Sequence, residues 1–213
     1  MKSSTPLDVL YALFFAVPWT LIVYLLAGKP AFFNGLLFAG GMVLWFFTTY
    51  RKQIDASAII APYLLTTVAF LVHVFEEFRA HADGYPFILQ PVLHTLFHVD
   101  DFNLTLVQLV TFAAFFAPIL WLLGMVLMLK SRSLGYFLAS TFLFGMMFIE
   151  PLHFIAPFLQ HGSFHYVGGT WTAVLPISMG WYTFTRVRHE LRKSFGGSDG
   201  TRTRGLLRDR QAF

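Results

Sequence analysis

The sequence predicts an all-α membrane protein: a polytopic bundle of about six transmembrane helices, with a short interfacial or re-entrant helix between the third and the fourth. Three observations carry that prediction. Of the 213 residues, 56% are hydrophobic and only 12% are Asp, Glu, Lys or Arg, where a soluble domain carries about 25%. The chain holds 26 Phe, more than one compact core hides, so apolar side chains must face lipid as well as protein. Apolar runs of about 20 residues, enough to cross a bilayer, recur along the chain.

The runs are Leu7–Ala27, Pro30–Tyr50, Ala56–Phe78, Asn103–Leu129, Leu134–Ala156 and Val167–Val187. The first is too long for the apolar core of a signal peptide, and no A-x-A-like cleavage site follows it, so it reads as a retained helix. Pro18, Pro62, Pro118, Pro151 and Pro176 fall in or near these runs, which membrane helices tolerate when neighbours satisfy the freed carbonyls. Residues 1–189 form the membrane-embedded domain. From residue 190 the chain turns polar and Arg-rich, and residues 190–213 read as a flexible basic cytoplasmic tail. It holds only two aromatic residues, Phe195 and Phe213, and no recognition module, which argues against nucleic acid as a partner. There is no cysteine, hence no disulfide and no thiolate nucleophile or ligand.

Lys and Arg set the orientation. With both termini in the cytoplasm, thirteen fall inside: Lys2, Arg51, Lys52, Lys130, Arg132 and the eight cations from Arg186 onward. Only Lys29 and Arg79 fall outside. This solution gathers His73, His81, His94, His98, His153, His161 and His165 on the non-cytoplasmic side, although histidine played no part in finding it. Glu76, Glu77, Asp83, Asp100, Asp101 and Glu150 lie there too. The size of the chain suits a bacterial inner membrane.

Three local groups show helical geometry. In "HVFEE", Glu76 and Glu77 sit about −60° and +40° around the axis from His73, so all three project from one face, which Thr66 shares. In "QPVLHTLFHVDDFN", a helix places Gln90, His94, His98 and Asp101 in one narrow polar stripe. In "EPLH", Glu150 and His153 make the Glu-x-x-His pair used by carboxylate-bridged metal sites in helix bundles. Pro151 disfavours helical geometry at Glu150, and a kink there either aims the carboxylate inward or spoils the pair.

Imidazole and carboxylate together are ligands for zinc, iron or manganese. Buried charge in a bilayer needs a partner, and one divalent metal satisfies several groups at once. His73, Glu77 and His153 are the preferred ligands, with Glu150, His94, His98 or His165 completing the site. Glu76 or Glu77 is the candidate catalytic base.

"HVFEEF" at His73–Phe78, followed by a proline-containing loop, resembles the signature of the HXXEE-domain family of small integral membrane proteins. "HYVGGTWTAVLPIS" at His165–Ser178, with His153 upstream, is similar to that family's second block. The resemblance spans Ala56 to Ser178. It implies a membrane protein with a polar His/Glu site and supplies no reaction.

The resulting expectation is a metal-dependent membrane enzyme, hydrolase or transferase in type, acting on a lipid-like or amphiphilic substrate at the non-cytoplasmic face. A proton or metal transporter or sensor is the alternative. A non-haem diiron oxygenase follows if the topology is inverted, and a non-catalytic scaffold is the remaining reading.

Overall fold

The computed structural model describes residues 3–27, 31–85, 87–88 and 117–196. The predicted short helix carrying His94 and His98 lies outside the described residues, as does the first part of the predicted Asn103–Leu129 span.

Every regular element among the described residues is helical. Helix α1 spans Pro6–Ala27, α2 Ala31–Phe47, α3 Ile60–Ala82, α4 Ala117–Leu129, α5 Ser133–Phe144, α6 Leu152–His161 and α7 Val174–Gly196. A 3-10 turn at Ala56–Ala58 leads into α3, and a π turn at Gly145–Ile149 extends α5. Pro6–Leu26, Ile60–Ala82 and Ser133–Leu159 are long and apolar enough to cross a membrane. Phe33–Phe47 and Ala117–Leu129 are shorter apolar helices.

Local chemistry explains the helix ends. Asp8 of α1 accepts from the Thr5 amide at 2.7 Å and from its hydroxyl at 2.8 Å, while Thr5 Oγ1 accepts from the Asp8 amide at 3.4 Å. Pro6, which has no amide to satisfy, takes the first helical position. Asp55 caps the 3-10 turn by accepting from Ser57 N at 3.0 Å, and the Ser57 hydroxyl and amide hold its carboxyl below the ordinary value.

Helix α5 is the hub. From Gly135 to Leu143 every side is buried, and α5 packs against α1, α2, α4 and α7. Small residues permit the close approach that membrane helices use in place of a hydrophobic drive. A Cβ on Gly135 would stand 2.3 Å from Met128 N, and one on Gly41 would stand 2.5 Å from Thr141 Cα. By contrast α1 lies outermost, with Phe14 78% and Leu25 74% exposed. Such side chains suit lipid contact.

At one end of the bundle polar bonds tie distant segments together. Ser4 N donates to Tyr50 O at 2.9 Å. The Ser4 and Ser133 hydroxyls are 3.1 Å apart, and Gln53 Nε2 donates to Ser133 Oγ at 2.9 Å. Lys52 donates to Ser194 O. This end therefore carries the start of α1, the α2–α3 connection, the start of α5 and the last turns of α7.

The sixth predicted span needs correction. The helix begins at Val174 instead of Val167 and runs to Gly196, past residue 189. Gly169 at φ +87° interrupts any helix through the 168–173 stretch, which forms turns instead. Those turns fold onto α3, and the site depends on them.

Candidate metal centre

His73 and Glu77, one helical turn apart on α3, point inward and are buried. Opposite them the α5 extension delivers Glu150, and the first turn of α6 delivers His153. The π turn does the aiming. Glu150 N donates to Gly145 O at 3.0 Å, five residues back, so the helix admits one extra residue before Pro151. The expected disruption at Glu150 does not occur: it keeps helical dihedrals of φ −58° and ψ −33°, because the wider turn absorbs the proline. A π turn of this kind rotates the next side chain relative to an ordinary helix. Here that side chain is Glu150.

The four side chains meet. His73 Nε2 is 2.9 Å from Glu150 Oε2, and His153 Nε2 is 3.1 Å from Glu77 Oε1. The two imidazole rings stand 4.5 Å apart at 83°. His73, Glu150 and His153 each offer one ligand atom within 4.8 Å of the others, so the group can hold a metal ion.

The second ring nitrogens fix the tautomers. His73 Nδ1 is 3.1 Å from Gly169 O and 3.3 Å from Thr172 Oγ1. His153 Nδ1 is 3.0 Å from Glu150 O. A carbonyl oxygen only accepts, so each Nδ1 must carry the proton and donate. In the neutral rings both Nε2 lone pairs then face carboxylate oxygens. Each contact therefore requires either a second ring proton, making an imidazolium–carboxylate pair such as the 3.1 Å His153 Nε2–Glu77 Oε1 hydrogen bond, or a metal ion between the two atoms. Backbone carbonyls on Nδ1 and open Nε2 atoms form the usual outer arrangement of metal-binding histidines. Glu150 Oε2 is buried, and among the described residues it receives no hydrogen bond of acceptable geometry despite its 2.9 Å neighbour. Two ligands of one tetrahedral zinc require only a separation of about 3.3 Å, near the spacings found here.

Glycine makes room for the centre. Gly169 sits at φ +87°, and a Cβ there would come within 2.4 Å of His73 Cε1, 2.6 Å of Glu77 Cγ and 3.1 Å of His153 Nε2. Its carbonyl is the acceptor that orients His73.

Glu76, the other candidate base, stands apart from the four clustered side chains. The −60° offset from His73 turns it toward the 166–172 stretch. There it accepts from Tyr166 OH at 2.7 Å, Thr172 N at 2.8 Å and Thr172 Oγ1 at 2.6 Å. All three donors come from the segment that carries Gly169, so Glu76 locks that segment onto α3. Burial and the Glu76 carboxylate push the Tyr166 phenol above its ordinary value. His165 is also outside the centre: it is exposed and bonds within its own turn to Ser163. Sequence spacing alone missed Gly169 and Thr172, whose contribution is a carbonyl and a hydroxyl; "GGTWT", Gly168–Thr172 within the second block, was the only signal.

A cavity of about 140 Å³ adjoins the cluster. His73, Glu77, Glu150 and His153 form its polar wall. Phe38, Phe70, Trp121, Met146 and Ile149 supply apolar surface. Asn34 from α2 is on the same lining.

The chain matches no family model, no curated protein and no solved structure.

Proposed function

We propose that this protein is a metal-dependent integral-membrane enzyme, hydrolase or transferase in type, whose substrate is lipid-like or amphiphilic. One observation carries the reading: two buried imidazoles, each with Nδ1 turned to a backbone carbonyl, direct their Nε2 atoms at two buried carboxylates beside an apolar cavity. His73, His153 and Glu150 are the ligands, and the donor set suits zinc, iron or manganese. The ion would polarise a substrate oxygen or lower the pKa of water toward about 7. Glu77, with Oε1 beside His153 Nε2, is placed either to complete the coordination or to take a proton from the attacking water or hydroxyl. Gly169 O and Thr172 Oγ1 keep His73 in one tautomer. The apolar lining accepts the hydrophobic part of the substrate and keeps bulk water from the reacting end.

A one-sided pocket is favoured over a transport path. Toward the other end of the bundle Thr66, Thr67 and Ser140 each donate to a carbonyl of their own helix, at Pro62, Tyr63 and Tyr136. Tyr63 and Phe142, both fully buried, meet edge to face at 5.1 Å.

From the charge asymmetry we infer that this centre faces the non-cytoplasmic side with both termini in the cytoplasm, and we propose a bacterial inner membrane as its setting. Single cysteines at Gly84 and Gly197 test that, because the chain has none of its own. Labelling of Gly84→Cys only from the cytoplasm reverses the orientation. The metal is tested by elemental analysis of protein purified in detergent. Wild type should carry stoichiometric metal and the His73→Ala/His153→Ala variant should carry none; equal trace metal in both refutes the centre.

A further inference from the structure

Several buried polar side-chain atoms lack a hydrogen-bond partner among the described residues: Asn34 Nδ2, Trp45 Nε1, Thr49 Oγ1, Gln53 Oε1 and Glu150 Oε2. Of these residues, Asn34 and Glu150 line the cavity. Glu150 is accounted for by the metal reading. Asn34 is not. It is 7% exposed, on α2, on a wall otherwise built from Trp19, Phe33, Leu37 and Phe38.

A primary amide left unpaired in apolar surroundings costs about 1–3 kcal/mol. In a bilayer that cost is not relieved by water from outside. An apolar residue of the same size would fill this wall without it. The amide therefore has a use in the bound state: its N–H donates to an acceptor that arrives with a ligand. A site built around such a donor discriminates strongly against molecules lacking the acceptor, because they leave the amide unpaired.

The cavity limits what the ligand is. Its volume of about 140 Å³ is close to that of an engineered apolar cavity of about 150 Å³ that takes up benzene. It accommodates the reacting end of an acyl or alkyl chain, not a whole two-chain lipid. The lining carries no Lys or Arg among the described residues, and its two carboxylates, Glu77 and Glu150, oppose a further anion beside them, so a neutral ligand suits it better than a phosphate or carboxylate.

We propose that Asn34 is a substrate-binding residue, and that the cavity takes an uncharged apolar molecule, or chain end, bearing a carbonyl oxygen that accepts from the Asn34 amide. This rests on the metal-enzyme reading for its catalytic meaning. It narrows the substrate class to esters, amides or related neutral carbonyl compounds. The amide holds one oxygen of the substrate while His73, Glu150, His153 and Glu77 flank the same space.

The test uses the full chain in detergent and two probes of equal heavy-atom count, butyl acetate and n-octane. Trp19 and Trp121 line the cavity, so intrinsic fluorescence reports occupancy. Micelle partitioning is the same for every variant and cancels when preference ratios are compared. The ester-over-octane ratio of wild type should exceed that of Asn34→Leu about tenfold, the factor of one hydrogen bond of about 1.4 kcal/mol, while n-octane still binds the variant. Asn34→Ala, which only removes atoms, should lower the ratio likewise, so the result does not hang on the folding of one variant. An unchanged preference in either folded variant, or no binding of either probe to wild type, overturns the proposal. Metal content is read on the same samples. Loss of ester preference with no stoichiometric metal in any sample would sink the metal reading and leave the acceptor site standing; stoichiometric metal with an unchanged preference would do the reverse.

Discussion

Replacing Gly169 by alanine probes the centre without touching any ligand. The new Cβ would stand 2.4 Å from His73 Cε1 and 2.6 Å from Glu77 Cγ. Both contacts are far inside van der Waals separation, so His73, Glu77 or the turn must move. Two costs add. A non-glycine residue at φ +87° carries roughly 1–2 kcal/mol of backbone strain. Overpacking against buried side chains adds about 1–3 kcal/mol. The sum, about 2–5 kcal/mol, lowers the melting temperature by about 2–4 °C per kcal/mol for a chain of this length. Displacing the Gly169 carbonyl also frees His73 Nδ1, and loss of such an outer partner weakens metal binding by about 10–100-fold. Gly84 separates the two costs. It has φ +92° with nothing within 4 Å of a built Cβ, so Gly84→Ala carries the strain alone. The assays are thermal unfolding in detergent and zinc competition against a chromophoric chelator. Gly169→Ala should lose both stability and zinc affinity, and Gly84→Ala only a little stability. If Gly169→Ala binds zinc as wild type does, the packing of the 168–173 turn against the centre is not what positions His73.

Tyr166→Phe removes one of three donors to Glu76 and should cost about 1 kcal/mol of stability, with elemental analysis still showing full metal. His165→Ala should change neither quantity, since His165 is exposed and hydrogen-bonds to Ser163 away from the centre; a halved metal content would return it to the ligand set. Gly135→Ala drives a methyl to 2.3 Å from Met128 N and should separate α4 from α5, detected as a loss of about 1–3 kcal/mol in unfolding. The Asp55 carboxyl is held below its ordinary value by the Ser57 hydroxyl and amide. A lowered folded-state pKa means its contribution is present above about pH 4, the unfolded value, and is lost as pH falls through the folded one. Acid unfolding of Asp55→Asn should therefore show a shallower pH dependence below about pH 4 than wild type, and identical curves would remove Asp55 from the account.

Much of this architecture is legible in the chain itself because lipid imposes a simple rule. Each crossing must be helical and apolar, so Pro6–Ala27, Ala31–Phe47 and Ile60–Ala82 fall close to the expected runs. The pairing of His73 with Glu77, and of Glu150 with His153, was equally readable, because helical spacing fixes which side chains share a face. The last span was misplaced by seven residues at its start because hydropathy does not register Gly168 and Gly169 as a break. Only the left-handed dihedral and the crowding around Gly169 show that a turn is required there.

Glu76 illustrates the limit more sharply. It neighbours Glu77 in sequence and differs from it in nothing but angle. That angle turns one carboxylate into the cavity and the other toward Tyr166 and Thr172, 90 and 96 residues away. Composition and spacing determined that this chain crosses a membrane as helices and gathers imidazoles and acids at one end, since hydropathy and helical period are local properties of the residues themselves. The tertiary structure alone decided which of those groups meet, which nitrogen of each ring stays open, and that an unpaired amide from α2 shares their cavity. Those outcomes depend on the π turn, the glycine contact and the packing of separate helices, and none of these is a property of any single stretch of sequence.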